Sequence, residues 1–237
     1  MTTPPSHPAH PPTRVQIVDS FDTLVGTPWA GDINALCWRR ELEGDFAEVA
    51  AALAVGPGIT SLDAETLRGL SLGPAGRKAV ACLLEDLDRL DAHGLQPTLD
   101  CINGYTNDPQ PGPVRTDVCS FHVDSATAEA DTYLCTYHGA SSWGLPNEQA
   151  VRRIDQPETR TALLQAYGGA DDAAFDAWLE EHFYNLHYAA LPEAQPYAFG
   201  TAHLWRIATL WPGCPVPPCI HRAPDPLPGY KRLLLIS

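Results

Sequence analysis

Thr98-Leu99-Asp100-Cys101-Ile102 is where the chain changes character, and that change decides the fold. Upstream, over 45–55 (DFAEVAAALAV) and again over 74–92 (PAGRKAVACLLEDLDRLDA), apolar residues recur every three or four positions, the period of an amphipathic helix, and Gly94 follows as a stop. The first third therefore reads as mainly helical, with a helical section over about 45–94. From 98 onward the texture is that of strands: 98–102, 114–123 and 132–137 are short runs rich in β-branched and aromatic residues, separated by Gly, Pro, Asn and Asp.

Helical spacing returns over 147–186, with Asp171-Asp172 as a cap region ahead of 173–183, and this reads as an insertion between strands. Three more apolar runs, 197–210, 216–221 and 230–236, are bounded by Pro or Gly and close the fold as strands. No internal repeat, heptad or glycine-rich nucleotide loop appears. The expectation is an α+β protein: a jelly roll, or double-stranded β-helix, with N-terminal helices packed on it and a helical insertion, in preference to a βαβ sheet. At 237 residues the chain suits one domain, 14–237, preceded by a proline-rich stretch over 1–13 that reads as a disordered tail.

Composition narrows the function. Hydrophobic residues make up 44% and charged ones 19%, as in ordinary globular proteins. Fifteen Lys and Arg against 29 Asp and Glu leave a formal charge of -14, a field that repels phosphate backbones and anionic lipid, so nucleic acid is not an expected partner. No apolar run approaches the roughly 20 residues a bilayer demands, and the first residues lack the pattern of a signal peptide; a cytoplasmic protein is expected. Seven cysteines, an odd number with no CxxC pair, read as reduced thiols.

The chemistry is concentrated in Cys119-Ser120-Phe121-His122-Val123-Asp124, where His122 and Asp124 stand two apart in a presumed strand and so leave the same face. His221, near the end of another such run, supplies a second imidazole. Two imidazoles and one carboxylate form the facial triad of non-haem Fe(II) sites, with positions left open for other ligands. Arg232, eleven residues past His221, offers a fork of donors for a carboxylate. Arg222, adjacent to His221 in a strand, faces the other way. In the run 132–137 the Tyr137 hydroxyl is a candidate contact to a co-substrate carboxylate, whereas Thr136 reads as packing. His182 and His187 are five apart, not the four that would align them on a helix, and Cys119, Cys214 and Cys219 read as small buried residues in preference to a zinc site.

H-x-D, a long gap, then His with Arg about ten residues later resembles the Fe(II)/2-oxoglutarate-dependent dioxygenase superfamily. The resemblance implies a double-stranded β-helix in which His122, Asp124 and His221 ligate Fe(II), Arg232 anchors 2-oxoglutarate, and oxidative decarboxylation of 2-oxoglutarate by O2 is coupled to oxidation of a small-molecule or amino-acid-like substrate. Aspartate at 124, not glycine or alanine, implies hydroxylation and not halogenation. Over most of its length the chain also resembles a bacterial family catalogued only as a domain of unknown function. The matching pieces are Asn34-Ala35-Leu36-Cys37-Trp38-Arg39-Arg40, Phe121-His122-Val123-Asp124, Thr136-Tyr137-His138-Gly139, His221-Arg222-Ala223-Pro224 and Arg232-Leu233-Leu234-Leu235. It departs from that pattern at Thr132, where the family tends to carry arginine, and at Ser141-Ser142, where it tends to carry Gly-Thr. Two alternatives use the same residues: a zinc-dependent or other metal-dependent cupin-like enzyme without O2 chemistry, and a non-catalytic metal-binding or interaction protein.

Overall fold

The structure, a computed structural model, describes residues 13–104, 112–227 and 229–237. In chain order the first elements are β1 (Val15–Val18), α1 (Phe21–Gly26), β2 (Ala35–Trp38), α2 (Phe46–Ala52), β3 (Gly58–Ser61), α3 (Ala64–Arg68), α4 (Pro74–Asp91) and β4 (Thr98–Asn103). There follow β5 (Asp131–His138), β6 (Trp143–Leu145), β7 (Ala150–Arg152), α5 (Pro157–Tyr167), α6 (Ala173–Glu181), β8 (Tyr188–Ala190), β9 (Tyr197–Ala198), β10 (Leu204–Ala208), β11 (Ile220–Arg222) and β12 (Arg232–Ile236).

Local chemistry sets the helix ends. Asp45 accepts the Glu48 N–H at the start of α2, and Asp172 accepts those of Ala174 and Phe175 at the start of α6, each meeting donors the first turn leaves open. α4 begins with Pro74 in its first turn, where a missing N–H costs nothing, and stops where Gly94 takes φ 73° and the Leu95 N–H bonds the Leu90 carbonyl.

Seven strands form one mixed sheet in the order β1-β2-β10-β5-β12-β4-β3, with β1 and β2 parallel and every other pair antiparallel. A three-stranded sheet, β11-β6-β9, faces its middle, and β7 pairs with β8 apart from both. The chain alternates between the two larger sheets: β4 in the large one, the His122 bridge to β11 in the small one, β5 large, β6 and β9 small, β10 large, β11 small, β12 large. Both sheets are open, and among the described residues no ladder closes a barrel.

Each face of the large sheet is covered. On one side Leu99, Cys101, Leu233 and Leu235 pack under Leu83 and Leu90 of α4. On the other, Leu134, Trp205 and Leu234 meet Tyr197, Phe199 and Cys219 from the small sheet and its flanks. Successive residues of β4, β5 and β12 therefore enter different cores, and the second of these cores borders the candidate site.

Several expectations are corrected. The first third is helical as expected in α1 to α4, but it also contributes β1, β2 and β3; Ala35, Leu36 and Cys37 are all fully buried, so β2 shows none of the alternation that marks a half-exposed strand. The run 114–123 is not a ladder strand: it turns at Asp117, whose carbonyl and carboxylate accept the Ser120 and Cys119 N–H groups, and pairs only through single bridges at His122. The insertion over 147–186 is not helical throughout, since it contains β7, and α6 ends at Glu181, two residues before Phe183 takes φ 60°. The run 197–210 splits into β9 and β10 around Gly200 and Ala202, both at positive φ. The expected tail lies outside the described residues up to position 12, whereas Thr13 and Arg14 bond Glu148. All seven cysteines are free, and among the described residues no helix is long and apolar enough to cross a membrane.

Candidate metal centre

His122 lies on an extended segment between β4 and β5, and its backbone exchanges two hydrogen bonds with His221 of β11, each 2.9 Å. Residues paired in this way project side chains to the same side, and the two ring centroids lie 4.6 Å apart. Asp124, two residues on, shares that side. Its Oδ1 lies 3.7 Å from His122 Nε2 and its Oδ2 3.6 Å from His221 Nε2, and one ligand atom from each residue falls within 4.8 Å of the others. The trio anticipated from sequence is thus assembled.

The shell around the trio orients it. His122 Nδ1 bonds the Ser120 carbonyl at 2.7 Å and His221 Nδ1 the Cys219 carbonyl at 3.3 Å, which places the proton on Nδ1 in each ring and turns the Nε2 lone pairs toward Asp124. Thr132 of β5 donates to Asp124 Oδ2 at 2.6 Å, and the Leu210 N–H holds the Asp124 carbonyl at 2.8 Å.

Burial, reinforced by the neighbouring His221, pushes His122 down to about 4, against the opposing pull of the Ser120 carbonyl and Asp124. For Asp124, burial raises the carboxyl, but His221, the Thr132 hydroxyl and His122 together carry it below its ordinary value. Imidazole nitrogens and a carboxylate oxygen are the donors through which these groups bind a cation, and the borderline-soft N/O set suits Fe(II) and Zn(II) alike. His187, whose ring centroid is 5.8 Å from that of His122, is also lowered to about 4, by burial and then by Arg153.

A cavity of about 190 Å³ opens beside these atoms, lined by His122, Asp124, His221, Arg232 and apolar residues of β4, β5 and β12. Arg232 is 5% exposed, and its Nη2 donates to Thr136 Oγ1 at 2.9 Å and Ser142 Oγ at 2.8 Å. Arg222 turns away, lying over Phe121 and Trp143 and pairing with Asp225.

Tyr137 is not brought to this cavity. It sits on the helix side of β5, where its hydroxyl donates to Asp86 at 2.6 Å, while Asp86 also pairs with Arg40. Its neighbour Thr136, read as packing, is the one that meets Arg232. Thr132 and Ser142, the two departures from the resembled family, both prove wired to the site. Asp100, on the cavity wall, was read only as part of a strand. The signal for Thr132 and Thr136 lay in β5 itself, because both share the parity of Leu134 and differ from Tyr137.

Compared with protein-family models, curated proteins and solved structures, the chain matches none.

Proposed function

We propose that the chain is a non-haem Fe(II)- and 2-oxoglutarate-dependent oxygenase that hydroxylates a small molecule or an amino-acid-like substrate. The observation that carries this reading is the meeting in one cavity of two imidazoles, one carboxylate and a buried guanidinium. The alternation of the chain between two facing sheets, β10-β5-β12-β4 and β9-β6-β11 with the His122 segment, supports a jelly-roll architecture for the same reading.

When bound, Fe(II) and 2-oxoglutarate supply the oxidising chemistry, two electrons coming from decarboxylation of the co-substrate. The chain's own residues do the rest. His122, Asp124 and His221 would hold the ion beside the cavity. Arg232, steadied by Thr136 and Ser142, receives the distal carboxylate of 2-oxoglutarate. Leu134, Leu234 and Ile236 line the chamber with hydrocarbon and exclude water from the reacting centre.

The test is the visible spectrum of anaerobic protein given Fe(II) and 2-oxoglutarate, with succinate measured after air is admitted. A weak charge-transfer band is expected, lost in Arg232→Ala, together with O2-dependent succinate release. Zn(II) binding with neither band nor succinate would overturn the oxygenase reading.

A further inference from the structure

The cavity wall opposite the metal ligands carries one charged group that the proposed chemistry does not use. Asp100 stands on β4 between Leu99 and Cys101, both buried in the helix-side core, so its side chain leaves by the cavity face. Ladder register puts Asp100 opposite Leu234 on β12, and Leu234 in turn opposite Thr136 on β5. Thr136, Leu234 and Asp100 form a row across three strands, which sets Asp100 two strand spacings, roughly 10 Å, from the strand that carries Thr132 and Thr136. On its far side lies β3, the sheet's edge strand, whose Ser61 is the cross-strand partner of Asp100 and donates its hydroxyl to Asp100 Oδ1 at 2.6 Å. That bond fixes the carboxylate without neutralising it. Among the described residues Asp100 makes no ion pair. Its neighbours on the wall are Ile59, Ile102, Val118, Leu134, Leu234 and Ile236, and two of these, Ile59 and Val118, are 58% and 45% exposed at the mouth.

Asp100 is half-buried on the cavity wall, and with a hydroxyl fixing it and no cation paired with it among the described residues, its carboxylate offers an open negative charge to a ligand in the cavity. We infer that Asp100 binds the ammonium group of the substrate, and that the substrate class is a primary amine on a short apolar stem. The inference rests on the cavity being the substrate chamber of the proposed oxygenase. Charge balance agrees. A divalent ion, Asp124 and Arg232 together leave two positive charges, which the two carboxylates of 2-oxoglutarate cancel, so Asp100 remains uncompensated until an ammonium arrives. With the ammonium at Asp100, the stem runs over Leu234 and Leu134 and brings its far carbons toward the His122–Asp124–His221 atoms. Asp100 is thereby a specificity-determining residue and is not needed to bind the ion.

Saturation-transfer NMR with n-butylamine, n-butanol and butyrate, and with their hexyl counterparts, tests this on the full chain, both metal-free and loaded with Zn(II). The expected order is amine well ahead of alcohol, with carboxylate last, in both preparations. Asp100→Asn, which keeps the size and can still accept from Ser61, should weaken amine binding tenfold or more, about 1.4 kcal/mol, and leave alcohol binding and Zn(II) affinity unchanged. Amine and alcohol binding equally, no alkylammonium binding at millimolar concentration, or an amine preference that survives Asp100→Asn would each overturn the proposal. Because the metal-free protein is also read, this outcome is separate from that of the iron and 2-oxoglutarate spectrum.

Discussion

The Thr132 hydroxyl touches the oxygen of Asp124 that lies 3.6 Å from His221 Nε2, so one short bond determines how the carboxylate is turned between two imidazoles. Groups that orient a ligand in this way typically contribute ten- to hundredfold to metal affinity. Thr132→Val, which keeps the shape and removes the donor, should therefore weaken Co(II) or Zn(II) binding by about that factor in chelator competition, and Thr132→Ser should restore most of it. Unchanged affinity in the valine variant would show that the carboxylate is held by its backbone alone. At this scale much was legible. The two-residue step from His122 to Asp124 put both on one face even though the segment is not a ladder strand, because any extended backbone alternates. The arrival of His221 was not derivable from spacing: it depends on a pairing across 99 positions, which no local pattern encodes.

At the scale of elements, β5 separates what the two faces of the sheet do. Tyr133, Cys135 and Tyr137 enter the helix-side core, whereas Thr132, Leu134 and Thr136 border the cavity. Parity divides the strand into these two sets from sequence alone, but both sets mix hydroxyls with apolar groups, so the pattern could not say which faced the ligands. The structure gives Tyr137 a different task, as a donor to the buried Asp86–Arg40 pair. Tyr137→Phe removes a hydrogen bond to a charged acceptor and should cost about 1.5–3 kcal/mol in denaturant unfolding. Metal affinity and the 2-oxoglutarate band should not change. A variant that loses the band at wild-type stability would return Tyr137 to the site. The same two-sided burial hid β2, since a strand covered on both faces lacks the alternation by which strands are read.

For the whole molecule, acidification sets two effects against each other. The net charge of -14 means that protonating surface carboxylates relieves self-repulsion and favours the compact state as pH falls. His122 and His187 work in the opposite sense. Each is lowered from 6.5 to about 4 in the fold, so the unfolded chain takes up their protons first and gains stability as pH drops through that window. Asp124, lowered in the fold, adds its own loss only where carboxylates titrate, at the acid end. Surface repulsion is screened beyond about 8 Å at 0.15 M salt, while charging a buried ring is screened far less. At that ionic strength the histidines should decide the sign, at roughly 1.4 kcal/mol per proton per pH unit. The metal-free protein is thus expected to lose a few kcal/mol of unfolding free energy between pH 6.5 and 4, measured by urea titration at fixed salt, and His187→Gln should reduce that slope by about half. A ligand that binds only the folded form, such as Co(II) at the three ligands, should raise stability most at neutral pH, because below the window protons compete for the same nitrogens. A flat or rising profile at 0.15 M salt would mean that His122 and His187 are not held neutral in the fold, and a protonated His122 could not serve as a ligand.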